Sequence, residues 1–322
     1  MRATGAGSLP GDDFRGALGF VLETLRDLAP LPELPGRGPG ADMVGRAAAL
    51  LVDLPTQLTP QGWELSDHPG VDHRRAAALW RNDLDDLEEL AQGFTGVIKV
   101  GIAGPWTLAA LLGRPRAEVA LADPGARRDV AQALLAGVDG LLADLRRRLP
   151  EARFVLQLDE PMLPAVMGGD VRVASGFRTL RSIEAPEVVE RLRPFGEGAV
   201  LHCCAGTGWL TVADRAGFAG VYADLTRPSA AALDALGPWL ESGRHVIAGV
   251  LDSADIDATP HPDQIVGATL DLVERLGIDP GVIDERLLLA PACGLAGWSR
   301  PAAADAMRAC VRAAELVTER LH

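Results

Sequence analysis

Gly220-Val221-Tyr222-Ala223-Asp224, the helical stretch Pro228–Ser242, then His245-Val246-Ile247-Ala248-Gly249-Val250-Leu251-Asp252 decide the fold class. A short apolar run, an amphipathic segment and a second short apolar run follow one another. Such runs, apolar on both faces, are how buried parallel strands read. The unit repeats in both directions. Val97–Gly104, Arg153–Asp159 and Ala199–Cys204 lie upstream and Leu287–Cys293 downstream, each followed by Gly, Pro or a polar residue. Apolar spacing of helical period appears in Asp12–Leu28, Arg74–Gln92, Ala126–Arg148, Pro262–Leu276 and Arg300–Leu321. Pro228, Pro262 and Pro301 sit where a first helical turn tolerates proline, and Pro186 after Ala185 opens another helix.

Two further strands must come from the N-terminal region. Ala3–Leu9 is one. The second is Ala29–Leu34 or Ala49–Leu54, and the first is preferred. Leu50–Leu58 and Gly62–Ser66, joined by Thr59-Pro60-Gln61, then form a hairpin excursion. Eight strands alternating with helices predict an α/β fold, a single (β/α)8 barrel over residues 1–322. The alternative is an open doubly wound sheet, for which no Gly-rich dinucleotide fingerprint is present.

Composition narrows the function. The 322 residues are 48% hydrophobic, ample for a large core. A formal net charge of −13 argues against a nucleic-acid partner, which needs a basic footprint. Four cysteines, two of them adjacent, do not suggest a disulfide framework, so a reducing compartment is the default. The first residues hold no secretory apolar run, and nothing approaches the ~20 apolar residues that span a bilayer. A cytoplasmic protein is expected, with no membrane partner. Lys99 is the only lysine, which reads as a compositional habit of an arginine-, alanine- and glycine-rich chain.

Val200-Leu201-His202-Cys203-Cys204-Ala205-Gly206 carries the strongest chemical signal. Side chains alternate along a strand, so His202 and Cys204 point one way, toward a barrel mouth, and Cys203 toward the helices. Cys293 ends the last strand before a glycine turn, and the strands of a barrel share one mouth at their C-terminal ends. Three N/S ligands with room for a fourth describe a catalytic zinc site. From spacing alone, packed free cysteines fit equally well. Asp224 ends its strand at the same level, as an oxygen ligand or as a loop or N-cap aspartate. Cys310 lies inside the last helix and reads as core.

These segments resemble the catalytic domain of cobalamin-independent methionine synthase, within the uroporphyrinogen-decarboxylase-like superfamily. The resemblance rests on Gly7-Ser8-Leu9-Pro10, Lys99, Gly104-Pro105-Trp106-Thr107, Asp159-Glu160-Pro161, His202-Cys203-Cys204 and Cys293-Gly294-Leu295, in the family's order. It implies a zinc-dependent S-methyltransferase of methionine biosynthesis that activates homocysteine. His202, Cys204 and Cys293 would be zinc ligands, with Asp224 at the position of the family's fourth ligand, a glutamate. Asp159 would receive the amino group of homocysteine, with Glu33 as a second carboxylate, and Ser8 would meet its carboxylate. Ala254 stands where the family has a proton-donating histidine, which leaves the folate donor open and Asp252, with Asp159 and Glu160, as the available acids.

A thiol bound to zinc is deprotonated at neutral pH, and two protein thiolates keep the bound sulfur electron-rich. Trp106 is a candidate stacker for a planar donor or a core aromatic; Trp63 and Trp298 are further stackers in mouth loops. Three other functions stay open: a zinc alkyltransferase for another thiol (coenzyme M or cobamide-linked), a non-catalytic zinc-binding relative and, more distantly, a cofactor-free decarboxylase. The ammonium partner Asp159 favours homocysteine among the thiols. Neither the methyl donor nor the oligomeric state is legible.

Overall fold

The computed structural model describes residues 1–173, 176, 178–257 and 259–322. Its strands are β1 (Arg2–Ala3), β2 (Leu28–Pro30), β3 (Thr56–Thr59), β4 (Gly62–Leu65) and β5 (Val97–Ala103) in the first third. They continue as β6 (Arg153–Asp159), β7 (Val200–Cys203), β8 (Gly220–Asp224), β9 (His245–Leu251) and β10 (Leu287–Pro291). Eight of them form one sheet in the order β1-β10-β9-β8-β7-β6-β5-β2, every pair parallel. With helices between successive strands this is the (β/α)8 barrel, not the open sheet.

The ring is joined between β1 and β2, mostly beyond the strands themselves. The Thr4 hydroxyl donates to the Leu28 carbonyl at 2.8 Å. Higher up, Glu33 N–H donates to Gly7 O at 3.0 Å and Leu9 N–H to Glu33 O at 2.9 Å. The closure therefore falls at the mouth, and it brings Ser8 beside Glu33.

Alternation along the strands makes two cores. Val200, Tyr222, Ile247 and Leu288 pack inside the ring. Leu201, Cys203, Val221 and Leu289, their chain neighbours, pack outward against the helices. Cys310 is buried in that outer layer, in the helix Arg300–Leu321.

Helices Pro262–Leu276 and Arg300–Leu321 begin and end where their sequence signals place them. For the second, the Ser299 side chain caps Ala302 N–H and proline stands in the first turn. Elsewhere the boundaries shift. The helix expected over Asp12–Leu28 runs only Phe14–Thr24, capped by Asp13, because Leu28 pairs with Val97 in the sheet. The first strand is limited to Arg2–Ala3 plus the bridge at Ser8. The hairpin's first arm is Thr56–Thr59, while Met43–Ala48 forms a short helix with Asp42 as its cap. Among the described residues no helix is long and apolar enough to cross a membrane.

Candidate metal centre

β6 and β7 are neighbours, and their register sets Asp159 opposite His202. Asp159 Oδ1 lies 2.7 Å from His202 Nδ1. An ionised carboxylate only accepts, so Nδ1 carries a proton and Nε2 is the nitrogen left to face a metal. The imidazole stacks on Tyr222 of β8, ring centroids 4.3 Å apart. The Tyr222 hydroxyl donates to the carbonyl of Pro291, at the end of β10. One aromatic side chain thus ties the histidine's surroundings to the strand that leads into Cys293.

Cys204 follows β7 and Cys293 follows β10. The Cys293 thiol donates to Cys204 Sγ at 3.1 Å, and both cysteines are free. Ligand atoms of His202, Cys204 and Cys293 all lie within 4.8 Å of one another. Among the described residues this is the one group of three or more His, Cys, Asp or Glu able to share an ion. His202 Nε2 is buried and has no hydrogen-bond partner. A buried orphan nitrogen is unfavourable on its own. Beside two sulfurs it completes the N/S donor set that zinc takes, and the residues present fit that ion.

Electrostatics in the metal-free arrangement follow the same contacts. Burial disfavours a charged His202, but the hydrogen bond to Asp159 and the proximity of the Cys293 sulfur outweigh that and carry its pKa up to about 9. Donation to Cys204, together with burial, pushes the Cys293 thiol up to about 12. The same bond holds the Cys204 thiol below its ordinary value.

A cavity of about 220 Å3 opens onto the cluster, lined by Ser8, Glu33, Met43, Asp159, His202, Cys204 and Cys293 among others. Gly294 is needed there: a Cβ on it would stand 1.8 Å from Ser8 Oγ. Its absence lets the Cys293 loop close on Ser8, whose carbonyl accepts from Leu295 N–H at 2.9 Å. Across the cavity, burial raises the Glu33 pKa to about 7, against the pull of Arg46. Arg46 is itself buried, over the Trp80 ring at 3.9 Å, and shares Asp83 with Arg37.

Three candidates stand elsewhere. Asp224 Oδ1 accepts from Thr226 N–H at 2.9 Å and from the Thr226 hydroxyl at 2.6 Å, outside the cluster. Asp252 is exposed, and its Oδ1 accepts from Ala254 N–H at 2.9 Å. Trp106 is buried in the wall, where its indole donates to Val188 O at 3.3 Å, and it does not line the cavity. Trp63 and Trp298 are buried as well. Glu160 is buried beneath the same wall. It accepts from Trp106 N–H at 2.9 Å and from Thr107 N–H and hydroxyl, each at 2.7 Å. Burial outweighs these bonds and raises its pKa to about 7.

Sequence reasoning did not find Gln157 or Arg46, and gave Lys99 no role of its own. The available signal was polar residues set in apolar runs: Lys99 and Gln157 interrupt strands whose other residues are mostly apolar.

No protein-family model and no curated protein matches the chain. Solved structures do. One is a B12-independent methionine synthase from Shewanella sp. W3-18-1 in complex with selenomethionine. It covers 99% of this chain and 98% of its own, with a TM-score of 0.65 and 14% identity. At that identity the likeness is one of fold.

Proposed function

We propose that this chain is a zinc-dependent S-methyltransferase that converts homocysteine to methionine. The observation that carries the reading is His202 Nε2, buried without a partner beside two free thiols. The near full-length likeness to a methionine synthase, itself in complex with selenomethionine, supports the same class of reaction. Cytoplasmic operation agrees with the reduced cysteines.

Zinc held by His202, Cys204 and Cys293 would supply the Lewis acidity that deprotonates a thiol at neutral pH. The chain's own residues do the rest. Asp159 and Glu33 offer carboxylates to the substrate ammonium on one side of the cavity. Ser8 and the backbone around it meet the substrate carboxylate. Asp159 also keeps the Nδ1 proton of His202 in place. Toward the rim, Asp224 would reach the centre through water, and Asp252 is the acid for the donor's leaving atom.

Ala254, in place of the histidine of the resembled family, favours a second reading on the donor side: a methyl donor other than methyl-folate. A panel with homocysteine tests both, using methyl-folates with short and long glutamate tails, methylcobalamin and methylated thiols. Methionine from one of them is the expected outcome. No methionine from any, with zinc bound, would leave a zinc-binding protein without this activity.

A further inference from the structure

The proposed metal site leaves one buried lysine without a role. Lys99 is the chain's only lysine, and its side chain is fully buried on β5. An ammonium has three donors and no acceptor. Those of Lys99 meet Gly5 O at 2.9 Å, Ala6 O at 3.5 Å and Gln157 Oε1. None of these is a carboxylate, and an unpaired buried cation is costly to hold. Burial lowers its pKa to about 7, and the charge of Asp159 works the other way.

The contact with Gln157 has a directional consequence. Because its oxygen faces Lys99, its NH2 must face away. The NH2 donates to Asp159 Oδ1 at 2.7 Å and to Ala6 O at 2.9 Å. A reversed amide would set oxygen against the Asp159 carboxylate and NH2 against the ammonium, both repulsive. Asp159 Oδ1 in turn receives the Nδ1 proton of His202 at 2.7 Å. Gly101, the partner of Gln157 in register, leaves room for the chain of bonds: a Cβ there would stand 3.0 Å from Asp159 Oδ2.

We propose that Lys99 is a positioning residue that, through Gln157, holds the Asp159 carboxylate against the Nδ1–H of His202. The polarity runs from ammonium to amide oxygen, from amide NH2 to carboxylate, and from carboxylate to the ring's Nδ1–H. The Lys99 end fixes which way the Gln157 amide faces, and that amide's NH2 holds the Asp159 carboxylate where His202 Nδ1–H reaches it. The lone pair left on Nε2 is the one offered to metal. Its use there rests on the zinc reading above, whereas the relay itself does not.

The test uses Lys99→Met, which keeps chain length and removes the donors, Gln157→Leu, and the double variant. Zn2+ affinity is measured by competition with a chromophoric chelator, and 15N-histidine spectra read the hydrogen-bonded Nδ1–H of His202. Each single variant is expected to bind Zn2+ up to about tenfold more weakly, the low end of what the loss of a ligand's orienting partner costs. The double variant should be no weaker than the singles, because one unit is being broken. The hydrogen-bonded Nδ1–H signal of His202 should be lost or shifted in all three. Wild-type affinity and Nδ1–H signal in a folded Lys99→Met overturn the proposal, as do losses that add. Should Lys99→Met not fold, Gln157→Leu decides alone by the same two readouts. If the wild type takes up no Zn2+, the zinc reading falls. The hydrogen-bonded Nδ1–H signal of the metal-free protein still decides the relay: its loss in the variants supports it, and its survival overturns it.

Discussion

Three aspartates stand at or just past strand ends on one arc of the barrel, yet they do different things. Asp159 on β6 turns across to His202 on β7. Asp224 on β8 and Asp252 after β9 turn back to the backbone two residues on, at Thr226 and Ala254. The last two are the local turn that aspartate makes readily when nothing better is near. Asp159 is different because the register of β6 with β7 sets an imidazole N–H beside it, and Gln157 adds a second donor from the same strand. A strand-end carboxylate works inward only where a neighbouring strand supplies the donor. The thiol side of the mouth is built that way, and the rim beside β8 and β9 is not.

The sharpest break of that contrast comes from the cysteines. Cys204→Ser and Cys293→Ser are each expected to drop bound zinc from about one per chain to background in metal analysis. Full occupancy in both would remove the metal centre from the inward side. Next, Asp159→Asn should weaken zinc binding by about 10–100-fold in chelator competition, since it can no longer hold the Nδ1 proton with a charge. Asp224→Asn, which alters only a water-bridged group, should weaken zinc binding far less. Equal losses in the two would mean that the two aspartates serve the metal alike.

A smaller effect is expected from Glu33, on the cavity wall facing the cluster. Its carboxyl is raised from its ordinary 4.5 to about 7, so it is neutral below that pH and anionic above. Only the anion attracts an ammonium. Homocysteine binding should therefore strengthen as pH rises through about 7, and calorimetry on Glu33→Gln should show that rise flattened. A wild-type rise preserved in the variant would assign the titration elsewhere. Smallest of all, Asp252→Asn should leave zinc content unchanged and stability within about 0.5 kcal/mol, as an exposed substitution does. It should lower turnover without moving homocysteine affinity. Unchanged turnover would exclude Asp252 as the acid.

The barrel was legible because each layer repeats one local pattern. Buried runs such as His245–Leu251 are apolar on both faces, and helices such as Arg300–Leu321 carry their own start signals. The shared mouth of parallel strands brought His202, Cys204 and Cys293 within reach of one another before any coordinates. The closure at Ser8 and Glu33 was not legible in that way. It is made by backbone bonds between loops, which no side-chain pattern records. Trp106 shows the opposite failure: an aromatic at a helix start is equally suited to a mouth or a wall, and here it is wall.

By itself, then, the chain's sequence determined the layer order and which residues face the mouth, since both follow from periodicities of one strand or one helix. Tertiary structure alone decided what each polar side chain meets. Lys99 is the clearest instance. In sequence it is one lysine in an arginine-rich protein. In the fold it is a buried amine whose contact with the Gln157 oxygen leaves that amide's NH2 facing Asp159. The reason is physical: a hydrogen bond needs a donor and an acceptor at about 3 Å, and partners from β5, β6, β7 and the segment after β1 reach that distance only once the strands have paired into the ring.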